Sequence, residues 1–124
     1  MSHPPLQNYL RTFRRRCGLS QKEMATLLGG NSGTKVSRYE NFARLPSVNT
    51  IWAYEIVFNQ PAADLFAGDY RAIRVAVQLH AKVLIEQLAS QAPRSSSSRT
   101  ERKLALLRSI VESKPTGGSA PRQI

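Results

Sequence analysis

Apolar residues recur at three- and four-residue steps along most of the first 90 positions, the period of helices that bury one face. Leu6, Leu10, Phe13 and Cys17 predict a first helix over about 5–17, opened by Pro4-Pro5 and ended by Gly18. Ser20-Gln-Lys-Glu23 then has the S-x-x-E form of a helix start, in which the two side chains satisfy each other's free backbone donors. Met24, Leu27 and Leu28 are the inward positions of that second helix, and Gly29-Gly30-Asn31 breaks it. Ser32 is the expected cap of a third helix over 33–41, with Val36 and Tyr39 facing inward. Thr34, Lys35, Ser37 and Arg38 fall on its other sides.

Pro46 keeps Phe42–Pro46 a loop. Ser47 caps a fourth helix, about 48–59, whose core stripe is Ile51, Tyr54 and Phe58. Trp52 and Ile56 form a second apolar pair a quarter turn away, which predicts cover on more than one side. Pro61 opens a short fifth helix with Leu65 and Phe66, and Gly68 is its expected end. Residues 70–91 read as one longer helix with more apolar positions than one stripe holds. Ile73, Val77, Leu84 and Leu88 are expected to pack on the preceding domain. Val75, Leu79 and Val83 then need another cover, either a partner subunit or Trp52 with Ile56.

Pro93–Arg99 is a polar linker. Ser98-Arg-Thr-Glu101 repeats the S-x-x-E start before a short helix to about Glu112, with Leu104, Leu107 and Val111 on one side. The end from Lys114 has the composition of a disordered tail. The fold class expected is all-α: a compact five-helix bundle over 5–68, a longer C-terminal helix over 69–92, and a linker, short helix and tail over 93–124.

Charge narrows the partner. The 124 residues carry 18 Lys and Arg against 8 Asp and Glu, for a net charge of +10. The surplus is spread along the chain: residues 1–60 hold 8 basic and 3 acidic side chains, and residues 61–124 hold 10 and 5. A polyanion is the favoured partner, nucleic acid first and an anionic membrane surface second. A short helix carrying small polar and basic side chains, as at 33–41, suits the major groove of duplex DNA.

Other chemistry is sparse. The lone Cys17 leaves no intrachain disulfide and no cysteine-rich zinc site, so a reduced cytosolic protein is expected. Its place on the apolar stripe predicts a buried structural thiol. His3 and His80 have no companions at metal-ligand spacing. Tyr39, Trp52, Tyr54 and Phe58 have the spacing of core residues rather than of a platform for stacked bases. Asp64 and Asp69 form no paired-carboxylate geometry, and neither phosphate loop, nucleophile motif nor cofactor fingerprint is present. No apolar run reaches the ~20 residues of a membrane span, and the start has no signal-peptide core. The expectation is no enzyme, no cofactor, no metal and no membrane.

The residues Leu19-Ser20-Gln21, Ala25, Leu28-Gly29, Val36-Ser37-Arg38-Tyr39-Glu40-Asn41, Pro46-Ser47 and Leu65-Phe66 resemble, in order and near spacing, the lambda-repressor-like, Cro/Xre-type helix-turn-helix family. The likeness covers Leu6 to Phe66, about half of the chain. It implies a five-helix bundle whose second helix lies across the DNA backbone and whose third enters the major groove. By that resemblance Arg14 and Glu40 form a structural ion pair, with Arg14 also near a phosphate. Thr34, Lys35, Ser37 and Arg38 are the expected base-facing residues, with Arg38 the leading base reader. Gln21, Ser32, Asn41 and Arg44 join Arg14 as phosphate candidates. The turn Gly29-Gly-Asn-Ser32 is one residue longer than is common in the family, and Gly33 stands where a long polar residue is frequent.

The expected role is a sequence-specific regulator of bacterial or phage type, located with the nucleoid in the cytoplasm. It would be a homodimer, with the helix over 70–91 the candidate dimerisation element, because one recognition helix reads too few bases to select a genomic site. Two alternatives stand beside it: an antitoxin-type protein-binding module that docks a partner through 70–91 or 98–112, and a non-specific basic nucleic-acid binder.

Overall fold

The computed structural model describes residues 3–91 and 97–114. Those residues are all-helical, with seven helices and no strand among them: α1 Leu10–Arg16, α2 Gln21–Leu27, α3 Thr34–Glu40, α4 Val48–Phe58, α5 Ala62–Leu65, α6 Ala67–Ser90 and α7 Ser98–Glu112. They form two compact units, the first ending at Arg71 and the second beginning at Ala72. Most of the proposed linker and the tail beyond Lys114 lie outside the described residues.

In the first unit, local sequence signals set most helix ends. Gly18 adopts a left-handed φ of 75°, and its N–H and that of Leu19 bond back to Arg15 and Arg14, closing α1. Ser20 and Glu23 form the reciprocal capping box: Ser20 Oγ accepts from the Glu23 N–H at 3.0 Å and Glu23 accepts from the Ser20 N–H at 2.9 Å. Gly29, at φ 86°, ends α2. Ser47 caps α4 by accepting from the Thr50 N–H. Glu55 reaches forward from α4 to accept the Ala62 N–H at 2.8 Å, so one carboxylate holds the start of α5.

The core is Leu10, Phe13, Met24, Ala25, Val36, Tyr39, Tyr54, Phe58, Leu65 and Phe66. Tyr54 is its hub. Its ring lies 5.8 Å from that of Phe58 and 6.4 Å from those of Tyr39 and Phe66, the last two edge-on. Phe13 joins through Phe58 at 5.8 Å. α1, α3, α4 and Phe66 at the end of α5 thus meet around a single aromatic cluster.

Several expectations are corrected. The first helix begins at Leu10, not near Pro5, because the preceding backbone is engaged elsewhere. Tyr9 N–H bonds Leu65 O at 2.7 Å, Leu6 O accepts from the Gly68 N–H at 2.8 Å, and Asn8 donates to Tyr39 O while accepting from the Leu10 N–H. Leu6 and Cys17 are exposed, so the buried stripe of α1 is Leu10, Phe13 and Arg14, and the thiol is not a core residue. Leu27 is also exposed, leaving Met24 and Ala25 as the buried face of α2. Gly68 lies inside the first turn of α6 rather than ending α5.

In the second unit α7 runs antiparallel to α6. Gln78 donates to Ile110 O and Ser113 O at 3.1 Å, and Arg74 donates to Ser113 Oγ. The Gln78 bonds add to the cap of α7, where Ile110 O also accepts from the Ser113 N–H at 3.3 Å. Ala81 and Leu107, each one turn further along, are buried. The covered stripe of α6 is therefore 74, 78, 81, 85 and 88, and only Leu88 of the four residues expected inward belongs to it. Ile73, Val77 and Leu84 stay exposed, as do Val75, Leu79 and Val83. The cap of α7 is Ser97, one residue before the expected Ser98.

The crossing of Leu6–Gln7 over Gly68 is tight. A methyl at Gly68 would stand 2.5 Å from Leu6 O and 2.8 Å from Gln7 Cα, both backbone atoms. Gly68→Ala is expected to lower stability by about 1–3 kcal/mol, read as a reduced Tm. Gly30→Ala, whose methyl would meet only Ala25 O at 3.5 Å, should leave Tm nearly unchanged.

Candidate nucleic-acid interface

The site is built on a buried salt bridge. Arg14 on α1 donates to Glu40 on α3 through Nε at 2.6 Å and Nη2 at 3.0 Å, and its Nη1 donates to Leu19 O at 2.8 Å. Gln21 on α2 adds a third donor to Glu40 at 3.2 Å. Arg11 approaches Glu40 from outside at 3.5 Å and donates to Asn41 at 2.9 Å. One carboxylate therefore ties α1, α2 and α3 together.

Burial alone would push the Glu40 carboxyl up. Hydrogen bonds from Arg14 and Gln21, the Arg14 charge and the Arg11 bond outweigh it and hold the group below the ordinary carboxylate range. The Arg14 guanidinium is raised in turn, chiefly by its bond to Glu40 against the opposing effect of burial. The Tyr54 hydroxyl is buried without a hydrogen-bond partner, and burial first, then the Glu40 charge, raises its pKa.

With Val36, Tyr39 and Glu40 turned inward, α3 presents Thr34, Lys35 and Arg38 to solvent, and Ser37 is half-buried. Lys35, Arg38 and the loop residue Arg44 form no ion pair among the described residues. α2 and α3 approach closely at Gly33: a methyl there would lie 2.9 Å from Gln21 Cβ. A long side chain at this position would force the helices apart. Beside the turn lies a groove of about 390 Å³, lined by residues that include Leu28, Asn31, Ser32, Lys35, Tyr39 and Thr50.

Other sequence-predicted residues stand differently. Arg14 is only 7 % exposed and each of its three nitrogens donates within the fold, so its geometry serves the ion pair. The Gln21 amide is turned to Glu40 rather than outward. Ser32 is not the cap of α3: Gly33 holds that position without a side-chain cap bond, and Ser32 Oγ donates to Thr34 Oγ1. Asn41 is exposed, but its amide links Arg11 to Ser37. Arg44 is exposed beside Phe42, itself exposed and held at a φ of 64°.

Arg11 is the residue that sequence reasoning missed. It is exposed on α1 and reaches the end of α3, where it meets Glu40 at 3.5 Å and donates to Asn41 at 2.9 Å. Its three-residue offset from Arg14 was the available signal, since residues so spaced share a helix face.

Residues 6–54 match the family model described as a helix-turn-helix domain. The match agrees with the resemblance seen in the sequence and spans α1–α3 and most of α4. No curated protein and no solved structure matches the chain. Domains of this description bind duplex DNA through the second helix of the motif. Among the described residues no helix is long and apolar enough to cross a membrane, and no group of three side chains could hold a metal.

Removing one partner of the pair leaves a buried charge. Arg14→Ala is expected to cost about 3–5 kcal/mol in chemical denaturation. The depressed Glu40 pKa stabilises the fold fully above its ordinary value of 4.5, and that stability is lost as pH falls through the lower folded-state value. Glu40→Gln should therefore flatten the acid limb of a stability-against-pH curve below about pH 4.5; an unchanged limb would show that other carboxylates control it.

Proposed function

We propose that the chain is a sequence-specific transcriptional regulator of bacterial or phage type, which binds double-stranded DNA with α3 in the major groove. The observation that carries this reading is the division of α3 into two faces. Val36, Tyr39 and Glu40 anchor it, and Lys35 and Arg38 are exposed with no ion pair among the described residues. A recognition helix needs that combination, because a side chain can report a base only if the backbone beneath it is fixed.

In this reading Arg38 reads a base, by two hydrogen bonds to guanine. Thr34, Lys35 and Ser37 complete the base-facing surface. Arg44 and Arg11 contact phosphate, with Asn41 beside them. Arg14, Gln21 and Glu40 hold the three helices in register. A homodimer supplies the second half-site, and the work is done at the nucleoid. The chain is assigned no catalytic role. The antitoxin reading draws less support, because the Leu107 side of α7 is already packed within its own unit. A non-specific binder would not need so firmly locked a helix.

Selection of bound fragments from a random DNA pool tests the reading. A symmetric consensus with half-sites ~34 Å apart is expected, one turn of the duplex. Arg38→Ala should relax preference at one position and cost ~1–3 kcal/mol there. Arg44→Ala should weaken all sequences alike and reduce the salt slope by about one. A pool with no enriched sequence would overturn specificity.

A further inference from the structure

α4 carries an apolar stripe that is exposed among the described residues. Val48, Trp52 and Ile56 follow at four-residue steps and so share one face. They are 58 %, 57 % and 78 % exposed, and Leu45, just before the helix, is 68 % exposed. Together the four leave roughly 500 Å² of largely apolar surface in water, the size of the largest patch on a typical monomer, which is often functional. The stripe lies almost opposite Thr50 on the helix, and Thr50 lines the groove beside α3. An occupant of the stripe thus leaves the α3 surface open.

We infer that this face pairs with the same face of a second copy of the chain. The inference rests on the regulator reading above and supplies its dimer interface. Three observations select a second copy. Two such faces pressed together would remove about 1,000 Å², the lower bound for a specific interface. The same patch stands on every copy, and a two-fold contact sets such a patch against itself. And α4 carries no Lys or Arg and a single acid, Glu55, whose carboxylate is engaged with the Ala62 N–H. In a chain of net charge +10, it is a face on which two copies approach without cationic repulsion. Trp52 sits at the centre, with Val48 and Ile56 one turn to either side, the place where a buried aromatic anchor contributes most. Because α4 packs directly on the core that carries α3, pairing here also fixes the distance between two recognition helices.

The test uses the full chain in sedimentation equilibrium, with Trp52 emission as a second reading; Trp52 is the sole tryptophan. Self-association is expected, with emission shifting to the blue as concentration rises. Ile56→Arg should weaken association about 30-fold or more while leaving Tm and helical content unchanged. It should still bind a single half-site, with the two-site complex forming less readily. Loss of half-site binding in wild type would count against the regulator reading alone. A chain that stays monomeric overturns the inference. So does a dimer that survives both Ile56→Arg and Val48→Asn, which would point to the exposed side of α6. Blue emission in a monomer, meaning that the chain covers Trp52 itself, overturns it too.

Discussion

The arrangement of the first three helices depends on one carboxylate. Glu40 sits at the last position of α3, where a side chain pointing inward would ordinarily be apolar. Burying it unpaired would be prohibitive. Arg14 neutralises it with two hydrogen bonds, Gln21 supplies a third, and Arg11 closes the outer edge. Each donor comes from α1 or α2, so the only geometry that satisfies the charge is the one in which the three helices are in register. Apolar packing of Val36 and Tyr39 drives α3 onto the core, but apolar contacts are non-directional. The hydrogen bonds fix its rotation.

That fixed rotation links fold to function. Turning α3 by a quarter turn would bury Lys35 or Arg38 and, in the function proposed here, bring Glu40 toward a polyanion that repels it. The lock therefore does two tasks, holding the basic side outward and hiding a negative charge. Gly33 contributes in the same direction. By lacking a side chain it lets the start of α3 settle against Gln21, which keeps the Gln21 amide within reach of Glu40. Gly33 and Gln21 thus help to set the position of α3 through shape and hydrogen bonding.

Legibility followed the range of each interaction. The Ser20–Glu23 box, the Ser47 cap and the left-handed turns at Gly18 and Gly29 are written in four or five consecutive residues, and the structure has each of them. The Arg14–Glu40 pair spans 26 positions and was reached through family resemblance, not through periodicity. Periodicity also could not separate Leu10 from Cys17 or Met24 from Leu27, because the rims of an apolar stripe have the same spacing as its centre. The early helix start failed for a related reason. Leu6 and Tyr9 find backbone partners at Gly68 and Leu65, some 60 residues away, and those bonds replace the helical ones.

What the residues alone determined is the helical order, the capped boundaries and the existence of a basic, small-residue helix after a tight turn, all of which arise from local propensity and charge. Which apolar residues vanish into the core and which remain in water was decided by tertiary packing. Trp52 and Ile56 promised cover and lie open, whereas Arg14 and Glu40, polar by composition, are buried. The physical reason is that burial belongs to a neighbour's surface as much as to a side chain, and the neighbour's position is set by contacts far away in sequence.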